Sequence, residues 1–167
     1  MSKEEILERL LKSYKRYYDI LTEDIPSPFA AIALFASHSE QYFLLKAAKV
    51  ADIDSNEKVY FALLGEVNGD KLTELSEQAW NLGLADVTPN YGHRNSDVTL
   101  YVIADRTDES VAKAAKKLNY SKSYKHGIYG WSTFKLVTLD ISSMCAAYNR
   151  QGRSLKSIVG NITKTTI

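Results

Sequence analysis

The first segment has the pattern of an amphipathic helix. Ser2 is followed three residues later by Glu5, which is the spacing of a capping box at a helix start. The Ile25–Pro28 stretch ends the pattern, because proline cannot donate into the helical hydrogen-bond ladder. The pattern predicts a helix over residues 3–22, with apolar side chains recurring every three or four residues: Ile6, Leu10, Tyr14, Tyr17 and Leu21.

Several short apolar segments predict strands. Residues 29–36 and 58–64 are nearly continuous apolar runs, which is typical of strands buried on both faces. Residues 97–105 alternate between apolar and polar side chains, as a half-buried strand does. We predict a further strand within residues 127–140, centred on 134–139, and a short one over 144–148.

Three more helices follow from spacing and end signals. Apolar residues from Leu72 to Leu82 trace one helical face, and Gly83 is expected to end that helix. Thr107 is placed to cap a helix carrying the apolar side chains of residues 111–118. A last short helix is predicted over residues 153–160.

One segment has two interpretations. Residues 40–51 are rich in Leu, Lys and Ala, and Ser37 with Glu40 has the spacing of a second capping box, so propensity favours a helix. The neighbouring segments on both sides are strand-like, which favours a strand instead.

Size and composition set the class. The chain has 167 residues, 45% apolar and 25% charged, which is typical of one globular domain. We therefore expect a single domain over residues 1–167, with a frayed tail at 161–167. No window approaches the roughly 18 uncharged apolar residues of a membrane span, and the chain begins with acids, unlike a signal peptide. These features predict a soluble, cytoplasmic protein without a membrane partner.

Charge is unevenly distributed along the chain. The net charge is +1, but from Lys113 to the C-terminus there are ten lysines and arginines against the single acid Asp140, a net charge of +9. Such asymmetry marks surfaces that attract nucleic acid, unless the two parts of the chain neutralise each other in the fold. Both outcomes stay open at this level.

Residues 120–131 combine bases with aromatic side chains. Aromatic faces can stack on nucleic-acid bases while cations meet phosphates, and Arg150 and Arg153 on either side of Gly152 would extend the same surface. The alternative is that these rings complete the core beside the sheet. The candidate nucleic-acid-binding set is Lys122, Tyr124, Lys125, His126, Trp131, Arg150 and Arg153.

Signatures of catalysis and metal binding are lacking. The single Cys145 excludes a disulfide framework, and its apolar surroundings favour packing over nucleophilic attack. The segment Asp52–Asn56 opens like a calcium loop, but Glu57 stands where glycine is needed. His38, His93 and His126 have no ligand spacing, and no phosphate loop or nucleophile elbow occurs. We expect no catalytic residue, no metal and no cofactor.

Four segments carry a resemblance to other sequences: residues 37–49, Val102–Asp105, Gly130–Asp140 and Asn149–Gly152. Together they resemble an uncharacterised bacterial family, a domain of unknown function. The resemblance spans nearly the whole chain and implies that residues 41–50 form the second strand of a hairpin.

With that strand included, the elements follow the order α-β-β-β-α-β-α-β-(β)-α. We therefore predict an α/β (α+β) fold, a three-layer domain with a mixed sheet of about five strands flanked by helices. This order resembles restriction-endonuclease-like domains, in which an acid and an acid-x-Lys set act together: the carboxylates hold magnesium and the lysine assists the attacking water. Here Glu57 and Lys58 are adjacent and Glu66 lacks a following lysine, which disfavours an active nuclease.

Three functional hypotheses remain. The leading one is a non-catalytic binding or accessory module. The second is a nucleic-acid-binding or degenerate nuclease-like domain that uses residues 120–131, Arg150 and Arg153. The third is a small-molecule enzyme with a pocket around His93, Arg94 and Asp97. A homodimer through the first helix is compatible with each of them.

Overall fold

The computed structural model describes residues 1–35, 55–85, 87 and 95–164. Its helices are α1 (Lys3–Tyr14), α2 (Gly69–Ala85), α3 (Ser110–Lys117) and α4 (Lys156–Thr163). Short 3₁₀ turns span Lys125–Gly127 and Gln151–Leu155. The strands are β1 (Tyr18–Leu21), β2 (Ala31–Phe35), β3 (Ser55–Val67), β4 (Asn95–Thr107), β5 (Ser121–Ser123), β6 (Trp131–Asp140) and β7 (Cys145–Tyr148).

The strands form one mixed sheet. Its order is β1-β2-β3-β4-β6-β5, and β7 also pairs with β6. Strands β3, β4 and β6 are parallel, whereas β1, β2, β5 and β7 pair antiparallel to their neighbours. Parallel neighbours need crossover connections, and α2 and α3 supply them. The predicted mixed sheet flanked by helices is confirmed, with seven strands in the described part of the chain rather than about five.

Helices cover both faces of the sheet. On one face, α2 and α3 contribute Leu72, Leu75 and Val111 to a core with Leu100 and Phe134. The predicted three-layer arrangement is confirmed, and it explains why the central strands are apolar on both sides. On the opposite face α1 and α4 pack on β3 and β4 through Ile6, Leu10, Val159, Ile162, Phe61, Tyr101 and Ile103.

The first helix is shorter than its pattern predicts. Ser2 and Glu5 form the predicted capping box, but α1 ends at Tyr14 and residues 18–21 form the edge strand β1. Tyr14 is buried, whereas Tyr17 and Leu21 are exposed. Pairing of Tyr18–Leu21 with β2 satisfies backbone groups that a longer helix would have bonded internally. Tertiary pairing therefore overrides the helical period after Tyr14.

Other observed ends of helices and strands also differ from the predicted ones. Helix α2 continues through Gly83, which lies against Val98 of β4, and ends at Ala85. Thr107 belongs to β4 and does not cap α3; Asp108 instead accepts hydrogen bonds from the Ser110 backbone and hydroxyl.

At the C-terminus, α4 extends through Thr163, so residues 161–163 are helical rather than frayed. Residues 153–155, predicted as the start of that helix, belong to the 3₁₀ turn instead. The strand or helix proposed for residues 40–51 lies outside the described residues.

Two polar side chains complete the sheet around β6. Asp140 accepts hydrogen bonds from the Thr107 N–H and hydroxyl at 2.7 and 2.9 Å, and from Ser142 Oγ at 2.6 Å. Burial opposes ionisation of Asp140, but these donors and the Ser143 N–H outweigh it and hold its pKa well below the usual range. Asp140 thereby joins the end of β4 to the turn that leads into β7.

Asn149 fills a gap at the outer edge of β6, between β5 and β7. Its Oδ1 accepts from the backbone N–H groups of Leu136 and Gly152, at 2.9 and 2.7 Å. Its Nδ2 donates to the carbonyl oxygens of Leu118 and Phe134, at 2.8 Å each. The carboxamide therefore replaces a strand neighbour where neither β5 nor β7 reaches.

Candidate nucleic-acid interface and a half-buried ionic cluster

The predicted aromatic segment divides between core and surface. Tyr124 is only 7% exposed, and its hydroxyl lies 2.9 Å from Ser132 Oγ. Tyr120 packs against Trp80 and Phe134. The Tyr124 ring is therefore buried, and the Tyr120 ring is packed partly against the core, as the core interpretation of these rings expects.

The basic side chains of this segment are exposed, and they lie on β5 and on the turn that follows it. Lys122 lies on β5, and Lys125 and His126 lie in the following 3₁₀ turn. Lys125 Nζ sits 4.6 Å from the centre of the Tyr129 ring, a cation–π contact that leaves its charge at the surface.

Trp131 does not join these cations. The side chain of Trp131 is 52% exposed. Side chains alternate along β6, which places Trp131 on the same sheet face as Lys135, whereas Lys122 pairs with Ser132 and faces the other way. The segment therefore does not form a single aromatic and basic surface.

Arg150 and Arg153 lie beside α3 instead. The Arg150 N–H donates to Asn119 Oδ1 at 3.1 Å, which places Arg150 next to the C-terminal end of α3. Arg153 lines a cleft of about 220 Å³ together with Lys116 and Lys156. We call this space the basic cleft; its remaining lining residues are Ala112, Ala146, Ala147 and Tyr148.

Local structure explains why these cations meet. Val111 and Ala115 face the core, so the helical period turns Lys116 toward solvent. The turn Gln151–Leu155 is held against β6 by Asn149, and it brings Arg153 and then Lys156 to the same side.

The ten bases of the C-terminal part do not form one face. Lys116, Arg150, Arg153 and Lys156 gather around the basic cleft and its neighbouring helix end. Lys135 lies in an ionic cluster on the α1 side of the sheet.

That ionic cluster spans three parallel strands. Glu57 on β3, Asp97 on β4 and Thr133 on β6 are register neighbours. Lys135 Nζ lies 2.9 Å from Asp97 Oδ2 and 3.6 Å from Glu57 Oε1, and the three charged side chains are 17–24% exposed. Thr133 Oγ1 donates to the second oxygen of Asp97 at 2.6 Å. Both carboxylates are therefore held within one half-buried network.

Tyrosines extend the network toward α1. Tyr18 Oη donates to Glu57 Oε2 at 2.6 Å, and the hydroxyls of Tyr14 and Tyr101 lie 2.9 Å apart. Burial raises the pKa of Tyr14 to about 12, although its bond with Tyr101 acts in the opposite direction. Burial, reinforced by the bond to Glu57, also raises the pKa of Tyr18. The phenols are therefore neutral donors at physiological pH.

Lys135 remains charged in this setting. Burial by itself lowers the pKa of Lys135, but the hydrogen bond to Asp97 and the charges of Asp97 and Glu57 raise it above the ordinary value. One ammonium thus neutralises one of two carboxylates and separates them. Among the described residues, no group of three or more His, Cys, Asp or Glu side chains is arranged to hold a metal ion.

Sequence reasoning missed this cluster. It tested Glu57 only beside Lys58 and Asp97 only beside His93 and Arg94, because neighbours in sequence are what spacing shows. In the structure Asp97 pairs with Lys135. His93 and Arg94 lie outside the described residues, so the pocket predicted there stays a prediction.

Lys135→Met should destabilise the fold by about 2 kcal/mol, since removing one partner leaves charges uncompensated in a half-buried site. The difference should be measured by urea denaturation at pH 7. Lys122→Met, which removes a charge from the exposed strand β5, should change the free energy of unfolding by less than about 0.5 kcal/mol. Equal effects of the two substitutions would contradict a structural role for the cluster.

Cys145 is placed differently from its prediction. It lies on β7 as a free thiol with an exposed side chain, whereas its apolar neighbours in sequence indicated a packed one.

Comparison with known proteins gives a family but no characterised relative. No curated protein and no solved structure matches the chain. Within the described residues, no helix is long and apolar enough to cross a membrane. Residues 2–161 match the profile of a family described as a domain of unknown function, DUF8052. Because that match spans almost all of the 167 residues, the chain belongs to the DUF8052 family.

Proposed function

We propose that this protein is a non-catalytic binding module that holds nucleic acid on a basic edge. The basic edge consists of Lys116, Arg150, Arg153 and Lys156. The observation that carries the proposal is the basic cleft, in which three cationic side chains from separate elements converge and no acidic side chain of the described residues takes part in the lining.

The charges of the basic edge are available to a ligand. All four side chains are exposed, so none of them takes part in a buried ion pair of the kind that holds Lys135. Cations that line one cleft act together on an approaching polyanion. Phosphates at the spacing of a nucleic-acid backbone are such a polyanion.

The scaffold favours a rigid binding surface. The edge is built on the C-terminal turn of α3, the turn Gln151–Leu155 and the start of α4. Asn149 ties two of these elements, the end of α3 and the turn, to β6 through its bonds to Leu118, Gly152 and Leu136. Cations on a fixed frame lose less conformational entropy on binding than cations on a loop.

The ionic cluster supports a non-catalytic role. Lys135 occupies both carboxylates, so Glu57 and Asp97 do not present free oxygen ligands to a metal or a free base to a water molecule. A nuclease active site would need these groups released from each other.

Binding should be tested with a fluorescent 12-nucleotide single strand by anisotropy at several salt concentrations. We expect affinity to fall steeply as salt rises. The double variant Arg153→Gln/Lys156→Gln should reduce the magnitude of the log–log salt slope by about 1.4, because each lost phosphate contact removes about 0.7 for a single strand.

The matched control loses the same charge elsewhere. Lys12→Gln/Lys15→Gln removes two exposed cations from the end of α1, neither of which lines the basic cleft. The control should bind as the unaltered protein does. Absence of binding at low salt, or equal loss in both double variants, would overturn the assignment of the basic edge.

A further inference from the structure

We propose that the basic cleft accepts one unpaired nucleotide, so that the protein prefers single strands to duplex. This inference rests on the proposed function and specifies its ligand. The feature that leads to it is a recess within an otherwise shallow basic surface, between α3 and β7.

The apolar lining of the cleft suits a flat ring. Three alanines line the space of about 220 Å³ with short side chains: Ala112 on α3, and Ala146 and Ala147 on β7. Ala147 faces the α3 side of β7 and Ala146 the α4 side, so the cleft runs across the outer edge of this strand. Tyr148 forms a wall and is half-buried, so part of its ring remains accessible. Apolar methyl groups and an aromatic wall are the contacts that a nucleobase makes when it leaves its stack.

The rim of the cleft suits a phosphate. Lys116, Arg153 and Lys156 surround the same space, and Lys156 Nζ lies 5.7 Å from the centre of the Tyr148 ring. An ammonium over an aromatic ring keeps its charge and its donors toward solvent, where they can meet phosphate oxygens. The apolar lining matches the base of a nucleotide, and the cations at the rim match its phosphate.

The edge of β7 can read the base. β7 pairs with β6 along one side, and no other strand in the described part of the chain lies along its outer side. The Asn149 N–H donates to the Leu136 carbonyl, so by alternation Ala146 and Tyr148 direct their backbone groups away from β6. Outward N–H and C=O groups are donors and acceptors that a base edge can use.

A duplex cannot offer this contact freely. Its bases are stacked and paired, and extruding one costs a few kcal/mol, whereas a single strand places a base in the cleft at little cost. Phosphates are present in both forms, so the surrounding cations alone would not distinguish them.

The test compares three ligands of equal length: a single strand, its duplex and an abasic strand that keeps the phosphates. Anisotropy should show binding of the single strand about 10-fold tighter than that of the abasic strand or the duplex at 50 mM salt. Ala112→Leu should abolish this preference, because leucine fills the cleft from an exposed position on α3 and removes no charge.

Asn161→Leu is the control for added surface leucine, since Asn161 is exposed on α4 and does not line the cleft. It should keep the 10-fold preference, and thermal denaturation should show both variants folded. Equal binding of all three ligands, or an unchanged preference in Ala112→Leu, would contradict nucleotide binding in the basic cleft. Neither result would contradict the proposed salt-dependent binding to the basic edge. Absence of binding to every ligand would remove the proposed function as well.

Discussion

Gly152→Ala should destabilise the protein by about 3–5 kcal/mol, because the new methyl group has no room. A Cβ at this position would lie 2.1 Å from the Leu136 carbonyl oxygen and 2.8 Å from Asn149 Oδ1. Neither neighbour can move cheaply, since Leu136 is in the middle of β6 and Asn149 is held by four hydrogen bonds. The turn Gln151–Leu155 would have to separate from the sheet. Urea denaturation followed by circular dichroism measures the loss.

The chain supplies a matched control for this substitution. Gly160 lies inside α4, and a Cβ there would meet no atom within 4 Å. Gly160→Ala should stabilise the protein by about 0.5–1 kcal/mol, because alanine costs less backbone entropy than glycine in a helix. If Gly152→Ala were tolerated as well as Gly160→Ala, the close approach of the turn to β6 would be wrong.

Asn149→Ala should cost about 3–4 kcal/mol. The substitution removes four hydrogen bonds and leaves two backbone N–H groups and two carbonyl oxygens without the partner they have in the native fold. Each buried group left unpaired costs about 1–3 kcal/mol, reduced where water enters the gap. Amide hydrogen exchange gives a local measurement, since the Leu136 N–H should lose protection.

Asn149→Asp distinguishes the two halves of the carboxamide. Aspartate has the same size and keeps one acceptor oxygen. Its second carboxylate oxygen replaces the donating Nδ2 and brings negative charge against the Leu118 and Phe134 carbonyl oxygens. We expect it to be at least as destabilising as alanine at neutral pH. Asn161→Ala, at an exposed position of α4, should change the free energy of unfolding by less than about 0.5 kcal/mol. An Asn149→Ala variant as stable as this control would contradict the gap-filling role.

These expectations assign a structural reason to a motif that suggested family membership. In the segment Asn149–Gly152, the first residue completes the edge of β6 and the last lets the following turn approach it. The arginines within and after the segment, Arg150 and Arg153, are thereby positioned beside α3. Substitution of Asn149 or Gly152 should therefore weaken the proposed nucleic-acid binding through loss of structure, whereas Arg153→Gln should affect the proposed binding alone.

Sequence patterns predicted the helices and strands well where interactions between near neighbours in the chain determine them. The capping box of Ser2 and Glu5 is present, and the apolar faces of α2 and α3 are buried as their spacing indicated. The prediction failed at Tyr18–Leu21, where a helical period continues but the chain pairs with β2. Residues of β5 carry no apolar pattern at all, since all three side chains are exposed. Edge strands of this kind are stabilised by their partner rather than by their own sequence.

The candidate site was less predictable than the fold. Arg150 and Arg153 were identified from their charge and their neighbouring glycine, but Lys116 and Lys156 were seen only as part of a charge total. Tyr124 and Trp131 looked alike in sequence, and the structure buries one and exposes the other. Which partner a side chain faces depends on register, and register is set by strand pairing over the whole sheet.

By itself, the amino-acid sequence determined the fold class, the helical faces and the concentration of positive charge after Lys113, because these follow from composition and from periods of two and 3.6 residues. Only the tertiary structure decided that Lys135 bridges Glu57 and Asp97 and that Lys116, Arg153 and Lys156 surround one cleft. Each of these groups joins side chains about 40 positions apart or more at its widest, and their meeting depends on how parallel strands and crossover helices align.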